Sequence, residues 1–291
     1  VVLRITLKFR VRGEKMAEKF VNMSEGDFVN FAKDIVEKAK ENNVVLRILG
    51  ALAVYIHTED PQIRNLFYTL ERLGKDKPLF TDLDTVAYSR QQPLAKKFFE
   101  TTLKFKPNIY VNTLFAYKRN IFEHPEGLFA VDVFYDRLEF SHNVEFGNAP
   151  VRGRLEIDFP TISLADIVLE KLQIHKINRK DIVDLIILFL QHNVEEVQKE
   201  QTIDASYIAK VLSDDWGFYY DANTNLDKVK EFAKTFASEE KLTESQLSEI
   251  NSKVDFLKEV IEKTPKTRNF EKRARKGTQV PWYRDVEEVE R

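Results

Sequence analysis

Thr81-Asp82-Leu83-Asp84-Thr85-Val86 carries two carboxylates two positions apart, inside a stretch from Leu79 to Ser89 with strand character. Side chains at i and i+2 of a strand share a face, so Asp82 and Asp84 are expected to stand together. Aspartate is a poor strand former, and neighbouring carboxylates repel each other. A hard divalent cation relieves both penalties, because Mg²⁺ takes carboxylate and phosphate oxygens. The plainer alternative is a strand end bearing two solvated acids.

Downstream, Leu128-Phe129-Ala130-Val131-Asp132-Val133-Phe134-Tyr135 is an apolar strand interrupted by Asp132. A buried acid is unfavourable unless it is paired or ligates a metal. Two partners suit it: a nearby cation such as Arg119, or a metal ion. In the second case a third acid on a neighbouring strand completes a two-metal site, which holds a triphosphate and activates an attacking oxygen. Upstream, Val44 to Leu49 is a short apolar strand broken only by Arg47, and Gly50 closes it. Ala51 to Ile56 then opens a helix, and a strand–Gly–helix junction turns backbone N–H groups toward a phosphate.

Ser24 is expected to cap a helix carrying Phe28, Phe31, Ala32, Ile35, Val36 and Ala39 at helical spacing, with Asp27 in a capping-box-like position. Residues 59–74 suit a further helix or an insertion ending at Gly74. Lys96 to Phe105 suits a helix. Asn120 to Phe122 and Leu128 to Phe134 suit paired strands around the turn Glu123–Gly127, and Arg137 to Phe146 stays extended. Ser163 begins a helix to about Lys176, and Asn178 caps the next one with Asp181 at its third position. Helical spacing continues to about Lys263, with caps expected at Asp204, Asn225 and Thr243. The prediction is an α+β fold: an α/β domain over 1–160 and a helical domain over 161–291 with a basic C-terminal tail. Residues 1–12 alternate apolar and mostly basic positions as one strand does. Met16 could be a start, with residues 1–15 belonging to upstream sequence.

The 291 residues are 43% apolar and 32% charged, with a net charge of −2. That suffices for a real core and argues against disorder. No run reaches the ~18 apolar residues of a spanning helix, and no signal-peptide pattern opens the chain. Cys is absent, which excludes disulfides, thiolate metal sites and a cysteine nucleophile, and a reducing cytoplasm is the expected location. The five histidines lack metal-binding spacing; His175, one turn after Lys171, could face a site. No Walker loop, nucleophile elbow or dinucleotide fingerprint is present. Near the end, Lys266, Arg268, Lys272, Arg273, Arg275 and Lys276 interleave with Phe270, Trp282 and Tyr283. That mixture suits nucleic-acid contact, or a charged tail docked by Trp282. The acidic stretch from Asp285 to Glu290 would blunt a basic patch.

Strand–Gly50–helix, then Asp82-Leu83-Asp84, then Val131-Asp132-Val133 resembles the DNA polymerase beta-like nucleotidyltransferase superfamily. The closer resemblance is to its AbiEii-like (abortive-infection, toxin-type) group. It adds Leu164 to Leu172, which holds Lys171, and Arg179 to Leu185, which holds Asp181 ten residues after that lysine. The resemblance covers roughly residues 44–190. It implies a mixed sheet with flanking helices and a helical second half, and a transferase moving a nucleoside monophosphate from a nucleoside triphosphate to a hydroxyl. By that resemblance Asp82 and Asp84 ligate Mg²⁺, and Asp132 ligates a second metal or acts as base. Gly50 and Ala51 meet the phosphates, Gly50 through its N–H. Lys171 contacts the phosphates, and Asp181 orients Lys171 or the acceptor. Read without the resemblance, Lys171 is a solvated lysine beside Glu170, and Asp181 an acid at a helix N-terminus. The acceptor would be an RNA such as tRNA, a protein or a small molecule, and an antitoxin protein would be a partner. Two departures stand out. Gly50-Ala51 replaces the group's Gly-Ser or Gly-Gly, and the hop from Gly50 to Asp82 is long. The intervening 59–78 would be a peripheral insertion or would reshape the pocket with Arg64, Arg72 and Lys75. The alternative function is a weakened module of the same fold that binds RNA or a partner protein.

Overall fold

The computed structural model describes residues 23–285 apart from 76, 116 and 198. The alternating segment 1–12 and the acidic stretch after Asp285 lie outside the described residues. Helix α1 (Glu25–Glu41) starts where expected, with the Asp27 N–H donating to Ser24 Oγ at 3.1 Å. Its apolar positions Phe28, Ala32, Ile35, Val36 and Ala39 are all buried. Strand β1 (Leu46–Ile48) runs into α2 (Gly50–His57). The 59–78 segment forms α3 (Pro61–Thr69), capped by Asp60 with Pro61 at its first position. Strand β2 (Leu83–Ala87) follows, then α4 (Gln92–Lys97), which continues as a π-turn over Phe98–Thr102.

Strand β3 (Lys106–Pro107) and helix α5 (Ile109–Leu114) were not foreseen. Strands β4 (Arg119–Glu123) and β5 (Ala130–Tyr135) form the expected antiparallel pair. The extended stretch after them is the hairpin β6 (Arg137–Glu139) and β7 (Asn143–Glu145). The main sheet runs β1-β2-β5-β4-β3, with β2 and β5 parallel and the other neighbours antiparallel. The fold is therefore α+β with a mixed sheet. Its central register sets Asp84 directly beside Asp132.

Helices α6 (Leu164–Leu172) and α7 (Arg179–Gln191) take the expected caps, Ser163 and Asn178. Strands β8 (Asn193–Glu195) and β9 (Thr202–Asp204) pair in parallel. After them come α8 (Ala205–Leu212), α9 (Trp216–Ser238), α10 (Glu244–Lys263) and the short α11 (Arg268–Ala274). Asp204 and Thr243 cap as expected, Thr243 in a full capping box. Asn225 does not. It lies inside α9, which Asp215 caps, and its amide donates to the Leu172 and Ile174 carbonyls at 3.0 and 2.8 Å. A buried amide that satisfies the end of another helix carries the same sequence signal as a cap.

The composition change near residue 160 is not a gap in packing. Pro160 to Ile162 runs beside β1, with the Ile48 N–H on the Pro160 carbonyl and the Ile162 N–H on the Ile48 carbonyl, both at 3.0 Å. Helix α7 buries every residue from Asp181 to Leu190 and packs on α2 and α3 as well as on α9 and α10. Buried apolar residues from Phe28 to Ile261 form one core. No helix among the described residues is long and apolar enough to cross a membrane.

A histidine pair joins the halves. His57 Nε2 meets Thr161 Oγ1 at 2.6 Å, and His192 Nε2 meets the His57 carbonyl at 3.1 Å. Burial lowers the pKa of both rings, that of His192 to about 4. The unfolded chain therefore binds protons on these rings more readily than the folded one. Their contribution to stability is whole above pH ~6.5 and is lost as pH falls toward 4, up to about 3 kcal/mol for His192. Urea midpoints measured from pH 7 to pH 5 are expected to fall, and His192→Gln to flatten that slope.

Candidate functional site

One cavity of 580 Å³ opens where the start of β2 meets α2, α6 and α7, and Gly50, Ala51, Asp82, Asp84, Lys171 and Asp181 all line it. Between Gly50 and Asp181 these residues are spread over most of the sheet half and the first two helices that follow it. Gly50 opens α2 with φ +72°, a conformation that favours glycine. A Cβ there would lie 3.3 Å from Asp84 Oδ2, so the missing side chain lets the helix start approach the Asp84 carboxylate. Asp82 stands one residue before β2 rather than within it, yet reaches the same wall.

The phosphate-contact expectation for Gly50 needs correction. Its N–H already donates to Glu170 Oε2 at 3.0 Å in a buried bond. A carboxylate of α6 thus occupies the anion position at the start of α2. The N–H groups of Ala51 and Leu52 belong to the same first turn, where donors lack intrahelical acceptors, and both residues line the cavity.

Lys171 is buried at 4% exposure, so the reading of it as a solvated lysine does not hold. Its Nζ lies 3.1 Å from Asp184 Oδ2, 3.3 Å from Asp181 Oδ1 and 3.5 Å from Glu170 Oε1. Burial pulls its pKa down, but Glu170, Asp184 and Asp181 outweigh burial and hold the ammonium above its ordinary range. Burial raises the Glu170 carboxyl, with Lys171 opposing. Arg72 completes the network, with Nε 2.6 Å and Nη2 3.0 Å from the two oxygens of Asp184. The 59–78 segment thus supplies a structural cation from just beyond α3. Its Arg64 instead donates to the Thr58 carbonyl, with Nε at 2.9 Å. Asp181 keeps one oxygen, Oδ2, buried without a hydrogen-bond partner among the described residues.

Asp132 does not join the site. It stands beside Asp84 in the sheet, but Arg119 binds both its oxygens, Nε to Oδ1 at 2.6 Å and Nη2 to Oδ2. The carboxylate is 2% exposed and does not line the cavity. The salt-bridge alternative is the one this geometry matches, and the expected second-metal or base role is not carried forward. Among the described residues no group of three or more His, Cys, Asp or Glu is placed to hold a metal. Mg²⁺ needs less, because one or two carboxylates suffice when substrate phosphates and water fill the remaining positions. Asp82 and Asp84 on one cavity wall fit that smaller donor set; the three-carboxylate, two-metal set does not fit.

Sequence reasoning did not assign Arg72, Glu170 and Asp184 to this network, nor Tyr283 and Arg284 to the cavity wall. Asp184 carried a signal, an acid inside the apolar run Ile182 to Leu190 that must find a cation. His175 lies beyond the end of α6 and lines the cavity. No family model, curated protein or solved structure matches this chain.

Proposed function

We propose that this chain is a Mg²⁺-dependent nucleotidyltransferase. The acceptor hydroxyl oxygen would bond to the α-phosphorus of a nucleoside triphosphate, the bond to the bridging oxygen would break, and pyrophosphate would leave. The observation that carries this reading is the gathering of Gly50, Asp82, Asp84, Lys171 and Asp181 around one cavity. Asp82 and Asp84 would hold one Mg²⁺, which when bound supplies charge neutralisation at the phosphates. The first turn of α2 presents the Ala51 and Leu52 N–H groups to phosphate oxygens. Lys171 keeps its positive charge under any working pH, so it favours the growing negative charge of the transferred group. Asp181 holds Lys171 with one oxygen; its other oxygen, Oδ2, is buried without a partner among the described residues and would take the acceptor hydroxyl's proton once substrate binding uncovers it.

The acceptor would be an RNA such as a tRNA end, a protein side chain or a small molecule. A toxin role with an antitoxin partner is the biological extension of this reading. Incubating the full chain with each α-labelled nucleoside triphosphate, total RNA and cell extract is expected to give labelling that needs Mg²⁺. Failure with all four nucleotides would overturn the proposal. Salt-sensitive RNA binding without nucleotide binding would instead support the weakened-module reading, which the Arg119–Asp132 pair and Ala51 favour.

A further inference from the structure

We infer that the C-terminal strap, residues 280–285, is a working wall of the site, and that Tyr283 is the platform on which the nucleobase of the substrate stacks. This rests on the nucleotide reading above and adds the base subsite.

Tyr283, Arg284 and Asp285 line the same cavity as Asp84 and Lys171. The Tyr283 ring stacks on His175 with centroids 3.5 Å apart and planes 13° apart. The cavity wall therefore carries both phosphate-suited groups, at the start of α2 with Lys171, and an aromatic ring. A nucleotide presents that pairing of an anionic tail and a flat π-face. Stacking on an aromatic ring serves any base, and a 580 Å³ cavity is in the size range of small-molecule sites.

The strap is tied down at several points. Asp221 lies in the middle of α9 at 2% exposure. One of its oxygens accepts from Trp282 Nε1 at 3.0 Å and meets His175 Nδ1 at 2.9 Å; the other meets His142 Nε2 at 2.7 Å. Arg284 donates through its N–H to the Ser141 carbonyl, through Nε to the Phe140 carbonyl and through Nη2 to Asn143 Oδ1, at 3.0, 2.8 and 2.6 Å. Arg273, read in the sequence as part of a basic patch, binds the Val280 and Pro281 carbonyls. Gly217 leaves room for the strap, because a Cβ there would lie 2.5 Å from the Trp282 carbonyl oxygen. That contact is with backbone, so an alanine at 217 must displace the strap. The chain on both sides of Tyr283 is thus tied down through Trp282, Arg284 and the Val280 and Pro281 carbonyls, and the ring itself stacks on His175.

The test is calorimetric binding of nucleoside triphosphates and of inorganic tripolyphosphate, both with Mg²⁺, to the full chain and its variants. Tyr283→Ala is expected to weaken nucleotide binding roughly 5- to 100-fold and to leave tripolyphosphate unchanged. Tyr283→Phe keeps the ring and is expected to restore nucleotide affinity. Gly217→Ala, which touches no cavity residue, is expected to weaken nucleotide selectively by moving the strap. Hydrogen exchange over 280–285 should slow when nucleotide is added but not when tripolyphosphate is added. Wild-type binding of nucleotide with equal affinity in Tyr283→Ala overturns the platform and spares the nucleotide reading. Equal losses for both ligands overturn it too, since they indicate a general disturbance. Absence of binding of either ligand to the wild type removes the nucleotide reading itself, and this inference with it.

Discussion

Arg72→Met is expected to destabilise the folded chain by about 3–5 kcal/mol. The native network sets two cations, Lys171 and Arg72, against the carboxylates of Glu170, Asp181 and Asp184. Asp184 is wholly buried, and Arg72 grips both its oxygens while Nη1 donates to the Leu79 carbonyl at 3.1 Å. Methionine fills similar space but leaves three acids on one ammonium. Arg72→Lys is expected to recover only part of the loss, because a single ammonium cannot make the bidentate contact. Burial raises the Asp184 carboxyl, but Arg72 and Lys171 outweigh it and hold its pKa below 3.8. Its contribution is therefore whole above pH ~3.8 and disappears as pH falls through the lower folded value. Removing Arg72 moves that folded value up, so acid unfolding of the variant should begin at higher pH. Urea midpoints at pH 7 and an acid titration followed by circular dichroism measure both effects. A loss below ~1 kcal/mol would mean that Lys171 alone satisfies Asp184.

The same network shows what the sequence could and could not reveal. Local signals read well: Ser24, Ser163, Asn178, Asp204 and Thr243 cap helices because their side chains compete for nearby N–H groups, a contest settled within three residues. The β4–β5 pairing and the α+β class were readable from apolar patterning for the same reason. Local rules fail where two distant segments meet. Asp132 announced that it needed a partner, but patterning alone could not choose between Arg119 and a metal, since both answer the same electrostatic demand. Asn225 imitated a cap while closing the end of α6. Glu170 looked like a surface companion of Lys171, yet it lies against Gly50, 120 residues away in sequence. Asp82, Asp84, Lys171 and Asp181 do meet at one cavity; of the two readings of the tail, docking by Trp282 is the one the strap matches, but that the strap lines this cavity had no sequence signal. Docking of Trp282 depends on Asp221 and on the absent side chain of Gly217, and neither has a periodic signature.

Asp84→Asn and Asp132→Asn are expected to part ways, although the two residues are neighbours in register on parallel strands. Asp84 faces the cavity beside the start of α2. The amide keeps its size but loses the charge that a hard cation requires, so Mg²⁺-dependent labelling should fall on the order of a hundred- to a thousandfold with little change in urea midpoint. Asp132→Asn instead removes the charge that holds the Arg119 guanidinium. Arg119 is 23% exposed and can turn toward water, so the loss of stability should be about 1–3 kcal/mol rather than that of a fully enclosed pair. Labelling at a temperature where the variant stays folded should remain within a few-fold of wild type. The reverse pattern, a stable Asp132→Asn chain without activity, would mean that Arg119 releases the carboxylate when substrate binds and that the metal site extends across both strands. Transfer rates and midpoints measured on the same preparations separate these cases, because only a released Asp132 links activity to Arg119. In that case Arg119→Met would free the acid and preserve labelling while lowering the midpoint.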